Sequence, residues 1–397
     1  MKRQLGLKYR LDPTPQQAAR LRVLAGHARF VWNQALAECR AARERGKWVP
    51  RYGTMAGWVT AWKRQPATAF LTEAYTDNLQ QKLRDLDTAW QRHFNPKLDA
   101  EAPTFKKKGK SRDSIRFVNF AKYCRLDHRR VKLPAGLGWV RFRQSRPVAG
   151  KITSCTVGLD GGHWHISFQV EIEVAEPPRH PATSAVGLDM GVGVAHFAVD
   201  SNGQPHAGRN SFRQIERRIA TAQRQLKHKT QFSQNWKKQK ARIARLHQKA
   251  ANARRDTLHK LSTSISQSHA MIAIEALRVR NMTASASGTL AAPGKRVRQK
   301  AGLNKAILDQ GWFEFRRQLT YKQQWRGGLL VAVPAPHTSQ TCPECGHVSA
   351  ANRPSRATFC CQACQHTAHA DVVGARNVLA RAHEQLSGQD LPVAPVK

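Results

Sequence analysis

The opening run KRQLGLKYRL alternates apolar and polar positions and predicts a β-strand. DPTPQQ then starts a helix: Thr14 is placed to cap it, Pro15 suits its first turn, and Gln17 completes a capping box. Leu21, Leu24, Ala28, Val31 and Ala35 follow at helical spacing and predict a core-facing stripe. Helical patterning continues to about residue 95, anchored by Trp58, Trp62, Leu79, Leu83, Leu86 and Trp90. FKKKGKSRDS at 105–114 breaks it. From Ile115 to Val174 the texture changes to short alternating runs (RRVKL, GWVRFR, ITSCTVGL, HWHISFQVEIEV) punctuated by Gly and Pro, which predict a small twisted sheet or barrel. The first strand fits that sheet, making the helical region an insertion.

AEPPRHPATS at 175–184 reads as a linker. AVGLDMGVGVAHFAVDSNG predicts two apolar strands joined at a glycine-containing turn. Long basic helices are expected over 211–262, where fifteen Lys or Arg stand between Arg213 and Lys260 against Glu216 and Asp256. HAMIAIEAL predicts a short strand ending in Glu275, and the small, polar, basic TASASGTLAAPGKRVRQKAG predicts a mobile loop. GWFEFRRQLTYKQQWRG reads as a helix and GLLVAVPAP as a strand.

Charge changes this picture. Lys plus Arg number 66 against 26 Asp plus Glu, a formal net charge of +40 over 397 residues, enough to hold a polyanion along an extended surface. Nucleic acid is the expected partner. No run approaches eighteen apolar residues and no secretory pattern opens the chain, so no membrane partner is expected and a cytoplasmic, nucleoid-associated setting is.

Eight cysteines are present. Cys342-x2-Cys345, fifteen residues and Cys361-x2-Cys364 have zinc-ribbon spacing, each pair on a tight turn that aims two thiolates at one tetrahedral ion. Cys360 competes with Cys361 but gives poorer knuckle spacing, and His347 and His366 lie beside the pairs as substitute donors. Four thiolates close the coordination sphere, so the zinc is expected to be structural. Cys39, Cys124 and Cys155 read as buried small apolar residues.

Three acids stand out by position. Asp189 lies where an apolar strand meets a glycine turn, Glu275 ends another apolar strand, and Asp371 opens a helix striped by Val372, Ala375, Val378, Leu379 and Ala382. Each alone reads as a turn or helix-end carboxylate. Together they follow the chain order of an RNase H-like nuclease, whose acids hold two divalent cations. Mg2+ prefers such hard oxygen ligands. His163-x-His165 with Tyr321 resembles the metal motif and nucleophile of single-strand transposases only in three residues, and solvent- or RNA-facing strand positions explain it better.

The stretches LDPTPQQAARLRVLAGHARFVWN, FKKKGKSRDSIRF, GLDMGVGVAHFAVDSNG, IEALRVRNM, LDQGWFEFRRQL, TSQTCPECGHVSAANRPSRATFCCQAC and HADVVGARNV, in this order, resemble the TnpB or OrfB-type proteins of small insertion sequences, relatives of the compact type V CRISPR effectors. The resemblance covers nearly the whole chain. It implies an α/β multidomain protein: a split wedge-type β-barrel (1–10 and 112–178) with an inserted helical recognition domain (11–111), then an RNase H-like RuvC nuclease domain (185–335 and 370–397) interrupted by a zinc ribbon (336–369). It also implies a Mg2+-dependent, RNA-guided DNA endonuclease whose guide RNA comes from the transposon right end, and whose double-stranded target carries a short flanking motif. By motif, Asp189, Glu275 and Asp371 match the family's RuvC acids and magnesium ligands, and Cys342, Cys345, Cys361 and Cys364 its zinc ligands. Three positions depart: Val373 and Gly374 stand where the family's D-x-N-A-A has Asn and Ala, which implies weaker polar support beside Asp371, and Ala276 stands where an acid is frequent.

Overall fold

In the computed structural model, which describes residues 2–174 and 179–388, the alternating opening run is strand β1 (Lys2–Asp12). Helix α1 (Pro15–Glu44) follows with the predicted capping box: Gln17 N–H donates to Thr14 Oγ1 at 3.2 Å and Thr14 N–H to Gln17 Oε1 at 3.0 Å. Helices α2 (Tyr52–Arg64) and α3 (Thr76–Phe94) complete a helical layer. Then come β2 (Ser114–Phe117), the short α4 (Phe120–Tyr123), β3 (Arg125–Asp127), β4 (Arg130–Leu133), β5 (Gly138–Arg143), β6 (Lys151–Asp160) and β7 (His163–Glu173).

These seven strands form one antiparallel sheet in the order β2-β6-β7-β1-β5-β4-β3. The central β1 runs against β7 from Lys2 to Arg10 and against β5 from Arg10 to Asp12. Helices α1–α3 therefore leave the sheet after its middle strand and return at its edge, as an insertion. The first turns of α1 put Leu21, Leu24 and Ala25 into the sheet's core, while Val31, Ala35 and Leu36 further along pack with Val59, Trp62, Leu83 and Trp90 of α2 and α3. Cys39, Cys124 and Cys155 are buried, as small apolar residues should be. This sheet and its helices are one compact unit, Met1–Val174, and the rest of the chain is a second, Ala175–Lys397. The first four residues of the linker at 175–184, and residues 389–397 of the closing segment, lie outside the described residues.

The second unit opens with β8 (Ala185–Met190), β9 (Ala198–Asp200) and β10 (Pro205–His206), an antiparallel meander. The basic helices are α5 (Glu216–Lys227) and α6 (Gln234–Ser268), the latter capped by Ser233. Next come β11 (Met271–Glu275), α7 (Val279–Met282), α8 (Val297–Gln310), α9 (Trp312–Arg326) and β12 (Leu329–Val333). The hairpin β13 (Thr358–Cys360) and β14 (Thr367–His369) leads directly into α10 (Ala370–Ser387).

The main sheet has the order β10-β9-β8-β11-β12, with β11 parallel to both β8 and β12. Val186, Leu188, Ile272 and Ile274 pack with Leu258, Ile265, Phe315 and Leu319 of α6 and α9, while Ala273, Val331 and Val333 pack with Val378 and Ala382 of α10. Strands buried on both faces read as continuous apolar runs, which is why AVGL of β8 and MIAI of β11 show no alternation. The loop predicted over TASASGTLAAPGKRVRQKAG is shorter than expected. Its last residues belong to α8, whose Ile307 docks in the core, so tertiary burial overrides the polar, glycine-bearing start. Among the described residues no helix is long and apolar enough to cross a membrane.

Candidate active site and thiolate cluster

Strands β8 and β11 lie side by side in parallel, with Leu188 opposite Ile274, so Asp189 and Glu275 leave the same end of the sheet on neighbouring strands. Helix α10 crosses β8 and brings Asp371, in its first turn, to that end. The crossing is close because Gly187 and Gly374 have no side chains. A Cβ on Gly187 would collide with the carbonyl oxygen of Ala375, and one on Gly374 would stand 3.1 Å from Asp189 Cγ.

Burial pushes the Asp189 carboxyl up to about 7, and the negative charges of Glu275 and Asp371 push in the same direction. Burial also raises Glu275, against the hydrogen bond it accepts from Thr338 Oγ1 at 2.8 Å and the charge of Arg381. Asp371 faces Arg353 Nη2 at 3.5 Å, and the same guanidinium opposes the rise at Asp189. His369 caps α10, accepting from Asp371 N–H through Nδ1 at 3.3 Å, and its ring lies along that of His196 from the β8–β9 turn.

Thr338 has a support of its own. Asn377, buried on α10, donates through Nδ2 to the carbonyl oxygens of Thr338 and Thr341, both at 2.7 Å. Arg381, one turn on, donates to Pro334 and Pro336 carbonyls at 2.9 and 2.7 Å. One helix thus carries Asp371 and fixes the segment that orients Glu275. Sequence reasoning missed Arg353, Thr338, Asn377 and Arg381, because each acts through partners distant in sequence.

The four predicted thiols converge. Sγ of Cys342 and Cys364 are 3.6 Å apart, as are those of Cys345 and Cys361, and all four lie within 4.8 Å of one another. Tetrahedral zinc–thiolate bonds of about 2.3 Å imply sulfur separations of about 3.8 Å, so this donor set fits the ion. N–H groups of Cys364 and Ala363 point at Cys361 Sγ at 3.5 and 3.4 Å and pull that thiol down to about 6, while the neighbouring thiols push Cys364 up, a mutual repulsion that a bound cation relieves. Cys360 stands outside the cluster on β13, near Gln365. Cys342, Cys361 and Phe359 also pack against Ala370 and Val373, so the thiolate cluster and the start of α10 share a small core.

Among the described residues, the thiolate quartet is a metal-binding group whose ligand atoms all lie within 4.8 Å of one another; the three carboxylates are linked by charge, Glu275 and Asp371 both acting on Asp189. His163 and His165, on β7 of the first unit, bond to Arg10 Nη2 and to backbone, and belong to neither cluster.

Fold and sites together define an α/β protein with a thiolate cluster set against an acidic sheet end, a fold shared with a small CRISPR effector. A solved Cas12f1–sgRNA–target DNA complex matches at a TM-score of 0.52 and 12% identity, over 95% of this chain and 98% of that one. The chain belongs to the OrfB/TnpB family. Residues 167–286 match the OrfB_IS605 "Probable transposase" model, 312–378 the Cas12f1-like TNB domain, and 1–47 the family's helix-turn-helix domain. It is 47% identical to the "Putative RNA-guided DNA endonuclease InsQ" of Escherichia coli K12, over 98% of this chain and 94% of that protein. A Streptomyces pristinaespiralis protein with the same general designation is 32% identical over 94% and 88%.

Proposed function

We propose that this protein is an RNA-guided DNA endonuclease of its insertion sequence, cutting target DNA at an RNase H-like RuvC site formed by Asp189, Glu275 and Asp371. The convergence of these acids at one end of the β8–β11 pair, with Asp189 pushed to about 7, carries the reading. The strand order, a three-strand meander followed by two parallel strands, suits an RNase H-like core. The first unit would serve as the wedge and inserted recognition domains, reading guide RNA from the transposon right end and a short motif flanking the target.

Mg2+ fits the site because the donors are hard carboxylate oxygens whose mutual repulsion a cation relieves. When bound, a pair of such ions would activate water and stabilise the leaving oxygen of the phosphodiester. The protein's own part is positional. Asp189 must release its proton to serve as a ligand, Thr338 holds Glu275 by one oxygen, and Arg353 balances charge at Asp371. Cys342, Cys345, Cys361 and Cys364 would hold Zn2+ and fix the ribbon against α10.

The test copurifies the protein with RNA from its element's right end, then offers a guide-matched target beside a randomised flank, with Mg2+ or EDTA. Guide- and Mg2+-dependent ends that vanish in Asp189→Ala, Glu275→Gln and Asp371→Ala are expected. Guide-dependent binding without cuts in the parent protein would replace this reading with that of an RNA-guided regulator of transposition.

A further inference from the structure

The first unit holds a second site, unrelated to the acids. Between the end of α1, the connector to α2 and the last turns of α3 lies an open cavity of about 720 Å3. Trp48 stands on its rim with 96% of its surface exposed, an unusual placement for the largest apolar side chain. Inside, Trp90 is buried and stacks on Phe94 with ring centroids 5.5 Å apart and planes 15° from parallel, leaving Phe94 half exposed. Arg43 lies over Phe94 at 5.9 Å. Asp87, the acid in the wall, is neutralised by Arg51 at 3.6 Å, and Lys47 adds charge beside Trp48.

An exposed indole and a half-exposed phenyl ring, flanked by Arg and Lys, suit a flat, π-rich group attached to a phosphate. An apolar peptide would gain nothing from the cations, and a paired duplex keeps its base faces stacked internally. Gly46 gives the connector its shape: φ of +69° closes the end of α1, and Lys47 N–H returns to Ala42 O at 2.9 Å, so Trp48 is presented from a defined turn.

We propose that this cavity binds an unpaired base of the guide RNA, clamped between Trp48 and Phe94 with Arg43 and Lys47 on the flanking phosphates. RNA is the better occupant than DNA because folded RNA permanently offers splayed, unstacked bases in loops and bulges. This rests on the proposed function for the identity of the RNA.

The test uses the full chain. Trp48→Ala, Trp48→Phe and the parent protein are titrated with the right-end RNA, a fully paired RNA hairpin, and single-stranded DNA of the guide's sequence, and photocrosslinked RNA peptides are mapped by mass spectrometry. Because Trp48 is exposed, its replacement leaves the fold intact, which thermal melting checks. Expected are a loss of about tenfold for right-end RNA in Trp48→Ala, recovery in Trp48→Phe, little change for the hairpin, and a crosslink at Trp48. Equal affinities for right-end RNA in all three proteins overturn the proposal, and so does a loss shared equally by single-stranded DNA, which would make the cavity a DNA-strand site. If guided cleavage is intact in either case, only the cavity's role falls. A parent protein that binds no right-end RNA overturns the proposed function as well.

Discussion

Asp189 sits in an environment far from that of a surface carboxylate. Burial first, then Glu275 and Asp371, raise it from 3.8 to about 7. The folded protein therefore keeps this proton over a pH range in which the unfolded chain has released it, so metal-free stability should fall as pH rises from about 4 to 7. The full difference amounts to roughly 4 kcal/mol at most, at 1.36 kcal/mol per pH unit. Asp189→Asn should accordingly raise the Tm of the metal-free protein at pH 8, with an advantage that shrinks toward pH 5. Added Mg2+ should favour the parent protein instead, most strongly at high pH. A Tm difference independent of pH would show that neither burial nor its two neighbours raises Asp189. Arg353 works in the opposite sense, so Arg353→Gln should move the Asp189 titration upward, as followed by carboxyl NMR. An unmoved titration would remove Arg353 from the site.

Elements, more than residues, assemble the site, and α10 joins the most parts. It carries Asp371, covers β8 through Gly187 and Gly374, holds Thr338 through Asn377, and shares a small core with the thiolate cluster through Val373. The departures at 373 and 374 have a physical explanation here: buried Val373 packs against Cys342, Phe359 and Cys361, and Gly374 leaves room for the Asp189 carboxylate. Thr338→Val should leave the fold intact but remove the donor to Glu275. A hydrogen bond to a charged group contributes about 1.5 kcal/mol or more, so the half-saturating Mg2+ for cleavage should rise by roughly tenfold, with Thr338→Ser restoring it. An unchanged metal requirement would reduce Thr338 to a loop residue. Cys361→Ser with Cys364→Ser should abolish zinc content and raise hydrogen exchange in the first turns of α10. Full protection there would mean that the ribbon and the active site fold independently.

At the scale of the whole molecule, charge dominates. A formal +40 commits the protein to polyanionic partners, and neutralising even six to ten phosphates makes affinity fall about a thousandfold or more between 50 and 200 mM salt. Filter binding of the right-end RNA across that range should show this steep log–log slope. A shallow one would mean that the basic helices α5 and α6 face solvent and not phosphate.

Much of this was legible in one chain because it depends on local periodicity and spacing. The capping box at Thr14, the apolar strands ending at Asp189 and Glu275, and the two CxxC pairs are short-range patterns that the backbone must satisfy wherever it goes. The assignment of Cys361 over Cys360 also rested on local knuckle geometry. What tertiary structure alone decided is long-range. The start of α8 was hidden because its residues look like loop until Ile307 finds the core. Arg353 lies 18 residues from Asp371 and Thr338 lies 63 from Glu275, separations at which no periodicity operates. Trp48 follows a basic run like many others, and only the fold brings it to the same cavity wall as Phe94 and Trp90. Sequence determined which strands, helices and ligands exist. Packing of α10 on β8, where Gly187 and Gly374 let the two backbones approach, determined that Asp371 acts on Asp189 together with Glu275.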